Sequence, residues 1–536
     1  MKKLKLVCVA IAMACATPTL AGGLLTNTNQ HVAFDRMMSR EASIGIDGVY
    51  YNPAGVVFMS EGHHLAINWQ LAFQTRTINN DYALFTNNVN NPITPRDFKG
   101  TAFAPVIPSF QYAYNKGKWS FQASFALTGG GGKCTFDDGL GSFEKIVAET
   151  AIAACGLAGV VDQTLGNTLG QPGMEMFTSD QAFGKTGKYS FNSYMHGRQY
   201  YYGLSVGAAY KFCDNFSAFL GVRGVYALTN YYGYVENINV GNMPLYKVLD
   251  PTKESSANIE LSCDQSGVGF TPIIGVDYKT GRWNFSAKYE FKTRIRLKNK
   301  SVNQTPSIGN LPANLANQMT GILTAKYQQA GLPLEQAKQQ AENTTNAVLN
   351  DPTVGATMMG LKTQFDQKLN KAIGEYEDGK KIAGDIPAYL ALGVGYSPVD
   401  AVRVNAGFHW FDDKNATSYN NRNKELKRGT LEYNAGVEVD VNKKITLSTG
   451  WQNTNYGLSD EYMDDKSFVV SSNSVAIGGV YHINKKMDLN VAYFHTFYQH
   501  KKTTETVQLT ADRNLNYSSD YTRNNNVFAV GLDINF

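Results

Sequence analysis

Residues 282–298 constrain this chain more than any other stretch. Trp283, Phe285, Ala287, Tyr289, Phe291 and Ile295 share one parity, while Asn284, Ser286, Lys288, Glu290, Lys292, Arg294 and Arg296 share the other. Successive side chains of a strand point to opposite faces, so this pattern is a long strand with one apolar and one charged face. Strands in soluble sheets average about five or six residues. An alternating segment longer than that suits a strand tilted across a bilayer. The same alternation recurs at Trp119, Phe121, Ala123, Phe125 and Leu127 against Ser120, Gln122, Ser124 and Ala126. It appears again where Leu431, Tyr433, Ala435, Val437 and Val439 alternate with Glu432, Asn434, Gly436, Glu438 and Asp440.

Applied along the chain, this test predicts fourteen strands: 63–78, 101–115, 118–133, 199–212, 215–230, 266–279, 282–298, 385–397, 401–412, 429–441, 444–457, 468–483, 487–504 and 522–536. Connections alternate between tight turns, such as Cys213-Asp214 and Asn442-Lys443, and much longer loops. Short turns on one side and long loops on the other are the signature of an outer-membrane barrel, and an even strand count leaves both termini in the periplasm. The fold class is therefore an all-β, antiparallel, fourteen-stranded transmembrane barrel. Fourteen strands enclose more space than their side chains fill, so the lumen is either blocked or used as a binding cavity.

The first residues, MKKLKLVCVAIAMACATPTLA, read as a secretory signal over residues 1–21. Beyond it no apolar run approaches the ~20 residues of a membrane-spanning helix. With 31 Tyr, 28 Phe and 50 Gly, export without a helix fits a Gram-negative outer-membrane protein in contact with lipid and lipopolysaccharide. A formal net charge of only +4, lower still once the leader's lysines are removed, excludes a nucleic-acid partner. No nucleophile–base pair, phosphate loop or metal-ligand spacing is visible, so neither an enzyme nor a cofactor is expected. His409 and His482 read as isolated, and the acidic doublets Asp412-Asp413 and Asp464-Asp465 read as water-facing loop residues.

Between the leader and the barrel, residues 22–62 differ from the rest. Ile44–Ser60 packs Asp47-Gly48, Asn52-Pro53 and Gly55 among Ile46, Val49, Tyr50, Tyr51, Val56 and Phe58. Turn signals that dense forbid a regular element, while the apolar residues need a dry place, for which the lumen is available. Helical periodicity marks two outer insertions, about 134–198 and 299–384: Leu311, Leu315, Met319, Ile322, Leu323 and Tyr327 share a face, as do Leu361, Phe365, Leu369 and Ile373. Cys134 and Cys155 share one loop, which allows a disulfide in an oxidising compartment, whereas Cys213 and Cys263 fall at opposite ends of the barrel.

Asn52-Pro53-Ala54 behind the Gly48 turn, Ala104-Pro105 through Pro108, Ala208-Ala209-Tyr210, Val225-Tyr226-Ala227, Ile386-Pro387 and the aromatic last strand occur in one order. Together they resemble the FadL/TodX outer-membrane transporters of long-chain fatty acids and other hydrophobic compounds, over the whole mature chain. The resemblance implies a barrel of residues 63–536 closed by an N-terminal hatch carrying Asn52, Pro53 and Ala54. It also implies a hydrophobic small-molecule ligand captured by the outer loops, and lateral exit through a kink in the third strand, where Gly129, Gly130, Gly131 and Gly132 stand. A monomer is expected. The basic residue that the family places after Val-Tyr-Ala is Leu228 here. A carboxylate head group would then need other cations, for which Arg223, Lys288, Lys292 and Arg294 are the lumen-facing candidates, with Glu290, Glu432 and Glu438 able to neutralise them. A general aqueous porin and an adhesin displaying its loops remain the alternatives.

Overall fold

The computed structural model describes residues 26–306, 309–510 and 513–536; the leader, residues 1–21, lies outside them. Fourteen antiparallel strands form one closed sheet: β1 (Gly62–Tyr82), β2 (Arg96–Lys116), β3 (Trp119–Phe136), β4 (Tyr189–Cys213), β5 (Phe216–Val240), β6 (Ile259–Thr280), β7 (Trp283–Glu290 and Arg296–Gln304), β8 (Tyr389–Val399), β9 (Val402–Phe411), β10 (Arg428–Asn442), β11 (Ile445–Gly457), β12 (Ser472–Asn484), β13 (Met487–Tyr498 and Lys501–Thr510) and β14 (Arg513–Asn535). β14 pairs with β1 and closes the barrel. Every open edge is thereby removed, as a lipid environment requires.

Parity sorts the wall. Ile67, Trp69, Phe121, Leu220, Ile274 and Val491 are exposed on the outer face, whereas Asn68, Gln70, Gln122, Ser217, Asp277 and Asn490 are buried on the inner one. Several strands overshoot their expected upper ends; β14 begins at Arg513 rather than at residue 522. Above the apolar belt the outer face turns polar, so alternation fades while backbone pairing continues.

Two strands depart from expectation. In β7 the register runs from Ile273–Glu290 to Ser266–Lys298, which leaves one more residue on β7 than on β6. The bulge faces Pro272, which has no N–H to extend the ladder but whose carbonyl accepts from Phe291 N at 3.0 Å. One extra residue flips every side chain beyond it. Ile295 and Leu297 are therefore buried inward, and Arg294 and Arg296 point outward, the reverse of the expected parity. β12 starts at Ser472; the residues before it turn inward, and Met463, Phe468 and Val470 pack with Ile78, Phe136, Met195 and Tyr521 at the barrel mouth. Asp464 and Asp465 are buried there rather than water-facing, with Asp465 accepting from Tyr521 Oη at 2.9 Å.

The N-terminal segment is buried inside this wall. α1 (Val32–Met37) packs on β11–β14, and α2 (Gly48–Tyr51) precedes a 3-10 turn at Gly55–Phe58. Outside, α3 (Gly141–Leu169), α4 (Tyr246–Leu249), α5 (Leu311–Gln329), α6 (Leu334–Leu349) and α7 (Pro352–Ile373) share one apolar core. Leu315, Met319 and Leu323 face that core as expected, but Ile322 is exposed. Contrary to the sequence reading, α3 is long and apolar enough to cross a membrane, yet half of its apolar stretch is buried in the protein. The four cysteines in the described residues are free, so Cys134 and Cys155 are not bonded. Cys134 lies on β3, whereas Cys155 Sγ donates to the Phe183 carbonyl within the loops, at 3.4 Å.

Candidate functional site

The N-terminal segment meets the inner wall through hydrogen bonds on nearly all sides. Asn52 Nδ2 donates to Asp277 Oδ2 at 2.6 Å while its Oδ1 accepts from Gly55 N at 3.1 Å, closing the turn that Pro53 begins. The Pro53 carbonyl accepts from Gln122 Nε2 (2.7 Å), that of Ala54 from Ser217 Oγ (2.7 Å) and that of Val56 from Asn115 Nδ2 (2.8 Å). A short polar turn thus exposes carbonyls that only inward amides and hydroxyls can satisfy, because buried backbone groups must be paired.

Charges hold the opposite side. Glu438 on β10 accepts from Arg36 Nη1 and, more weakly, from Arg40 Nη1 at 3.4 Å, while Arg403 on β9 reaches its other oxygen at 2.8 Å. Arg40 also grips Asp47 with Nε and Nη2 at 2.7 and 3.1 Å. Glu41 and Glu432 lie on either side of the buried His409 ring, at 2.7 and 2.8 Å, so His409 is not isolated. The sequence reading passed over Arg36, Arg40 and Glu41 and took Asp47 only as a turn residue; charges in so apolar a segment were the available signal.

The head-group candidates separate. Arg223 Nη1 and Nη2 bind both oxygens of Glu290 at 2.5 and 3.0 Å, and Lys288 Nζ binds Glu290 at 3.0 Å and the Tyr50 carbonyl at 2.6 Å. Both cations share the one Glu290 carboxylate. Lys292 donates to the Asn415 carbonyl at 3.0 Å near the rim. The expectation that Arg294 faces the lumen is reversed by the β7 bulge.

Gly129–Gly132 mark a break in the wall. β2 and β3 are in register from Lys116–Trp119 to Phe110–Phe125 and again from Ala102–Cys134, with no pairing between. Pro105 and Pro108 on the β2 flank lack an N–H to offer. On the β3 flank Gly130 takes φ +72 and Gly131 φ +131, and a Cβ on Gly130 would sit 2.2 Å from the Gln199 carbonyl oxygen. The carbonyls that β2 leaves free are taken by the start of the N-terminal segment: Asn27 N donates to Thr128 O at 3.0 Å, and Asn27 Nδ2 to Leu127 O and Gly130 O at 3.1 and 2.8 Å. Phe103 and Val106 are exposed on the outer side of this gap.

Behind the gap lies a cavity of about 290 Å³, lined by Phe34 and Met38 from the N-terminal segment and by Ile107, Leu127, Gly131 and Phe494 from the wall. A second, apolar cleft of about 120 Å³ lies between the outer helices, walled by Leu157, Val161, Leu249, Leu315, Leu361 and Phe365.

No protein-family model matches the sequence, and no curated protein matches it. Solved structures do match in fold. A Pseudomonas aeruginosa FadL homologue superposes with a TM-score of 0.58 at 13% identity, covering 96% of this chain and 100% of that one. The TodX monoaromatic hydrocarbon channel, as its deltaS2S3 mutant, gives 0.50 at 13% identity, over 94% and 98%. The chain is a closed fourteen-stranded barrel of the outer-membrane type, with the fold of the FadL/TodX transport channels.

Proposed function

We propose that this protein is a passive outer-membrane channel for hydrophobic small molecules, in which residues 26–62 act as the hatch. A ligand enters the cleft between α3, α4, α5 and α7, moves to the lumenal cavity, and leaves sideways into the bilayer between β2 and β3. Burying a methylene is worth about 0.8 kcal/mol, so a long apolar chain runs down such a path without energy input, and lateral exit spares it a return to water. The structural neighbours point the same way: one is a FadL homologue and another a monoaromatic hydrocarbon channel. Against a general porin stands the lumen filled by the N-terminal segment; against an adhesin stands the continuity of cavity and gap.

The observation that carries the proposal is the unpaired stretch between Phe110–Phe125 and Ala102–Cys134, which adjoins the cavity. An ideal Cβ on Gly132 lies 3.6 Å from Ala104 Cβ across that gap, within disulfide range. Ala104→Cys with Gly132→Cys, in a Cys134→Ser background, should lose uptake of radiolabelled toluene and oleate when oxidised and regain it with dithiothreitol. Uptake indifferent to the oxidation state would refute lateral exit.

A further inference from the structure

We infer that the outer face of β7 carries a docking site for the phosphate-bearing head of lipopolysaccharide, the glycolipid of the outer leaflet. It is built from the cations that the β7 bulge turns toward the membrane. Beyond the bulge Ile295, Leu297 and Asn299 are buried inward, and Arg294, Arg296, Lys298 and Lys300 are exposed outward. At about 3.3 Å per residue these four cations line about 20 Å of one strand. Lys381, also exposed, is the register partner of Lys298 on the short strand Lys381–Ala383. Like charges directly opposite each other on a sheet are destabilising. Little in the protein offsets them. Arg296 Nη1 donates to the buried Asp385 Oδ1 at 2.8 Å, and Lys300 stands opposite Asp264, which already accepts from Asn230 Nδ2 at 2.8 Å. Among the described residues Arg294, Lys298, Lys300 and Lys381 form no ion pair.

The row stands where lipid head groups lie. Below the bulge the outward side chains of β7 are apolar from Trp283 to Phe291, and with the tilt of a barrel strand that stretch rises about 20 Å. The apolar band of an outer-membrane barrel is about 25 Å tall, so the cations begin at its upper rim. The neighbouring strand agrees: on β6, Ser266 is the register partner of Lys298, and the next two outward residues toward the periplasm are Val268 and Phe270, both strongly exposed. Acyl chains can therefore lie on Val268, Phe270 and Phe291 while phosphate oxygens accept from the lysines and arginines above them. A head that carries more than one phosphate matches a row of this length, whereas a phosphoglyceride offers a single one. The site is independent of what the lumen transports, and it fixes the depth of the barrel in the outer leaflet.

The test is binding of three lipids to the full-length protein in a non-ionic detergent, read by native mass spectrometry: diphosphoryl lipid A, the same lipid stripped of its phosphates, and dioleoyl phosphatidylglycerol. The diphosphoryl form should bind at least about tenfold more tightly than either of the others, the scale expected of several cations acting on one head group. Lys298→Gln, Lys300→Gln and Lys381→Gln together should bring that preference toward one. These side chains are exposed, and heat-modifiable electrophoretic mobility reports the folded barrel. Lys485→Gln with Lys486→Gln, in the exposed turn at the periplasmic end, should leave the preference unchanged. Equal affinity for all three lipids in the unaltered protein would overturn the site, and that comparison needs no variant to fold. So would a preference that survives the triple substitution, or one that the turn variant abolishes as fully, which would make it an effect of net charge. Phosphatidylglycerol bound as tightly as diphosphoryl lipid A would assign the row to anionic lipids at large and overturn the choice of the glycolipid.

Discussion

Replacing Glu438 by Gln tests whether charge holds the N-terminal segment in the barrel. The substitution keeps size and removes the negative charge common to Arg36, Arg40 and Arg403. The three do not suffer equally. Arg40 keeps its two bonds to Asp47, and Arg403 keeps Asp440 at 2.7 and 2.5 Å. Arg36 is left with neutral partners alone, Asn490 Oδ1 and Ser448 Oγ at 3.2 and 3.0 Å and the amide of the new glutamine. Removing one partner of a buried pair costs about 3–5 kcal/mol; with one cation orphaned rather than three, the lower end applies. Displacing the segment returns Arg36 to water and relieves that cost. About 3 kcal/mol corresponds to roughly a hundredfold shift toward the displaced state. Single-channel recordings of the purified protein in planar bilayers should show the fraction of time spent conducting rise by about that factor. Deleting residues 22–60 should leave an open pore. If the deletion opens the barrel and Glu438→Gln does not, the segment is held by its carbonyl contacts at Asn115, Gln122 and Ser217, and the charge argument is wrong.

Gly130→Ala should destabilise the barrel by about 2 kcal/mol or more in urea unfolding, because alanine resists φ +72 and its Cβ would meet the Gln199 carbonyl; Gly132→Ala, whose Cβ only touches Ala104, should be nearly neutral. Phe365→Ala, which removes one wall of the outer cleft, should weaken surface capture of a labelled hydrocarbon by about tenfold. Burial raises the carboxyl pKa values of Glu375 and Asp464 in the outer loops. Their contribution to loop packing is therefore complete below the ordinary carboxylate range and is lost as pH climbs through the raised values. Limited proteolysis should find these loops better protected at pH 5 than at pH 8, and Asp464→Asn should flatten the difference.

The pattern of successes and failures has one physical source. Strand parity is written residue by residue wherever one face meets lipid, so the fourteen crossings were legible from alternation alone and the tight turns fell where the long loops did not. Parity is also fragile. A single inserted residue opposite Pro272 turned Arg294 outward and Ile295 inward, and nothing in the run 282–298 marks that slip, because the alternation of apolar and charged residues continues unbroken through it. The N-terminal segment was recognisable as something that needed a dry site, since turn residues and large apolar side chains coincide at 44–60. Its ionic partners were not, because Arg36 and Glu438 are separated by most of the chain and only closure of the barrel brings them together. The same holds for Arg76 and Arg523. Each reads alone as one more lumenal charge, and β14 must return beside β1 before the two stand as register partners that share the Gln74 side-chain oxygen. In a closed barrel the first and last strands are neighbours, so contacts across that seam join the two ends of the sequence, where no local pattern reveals them.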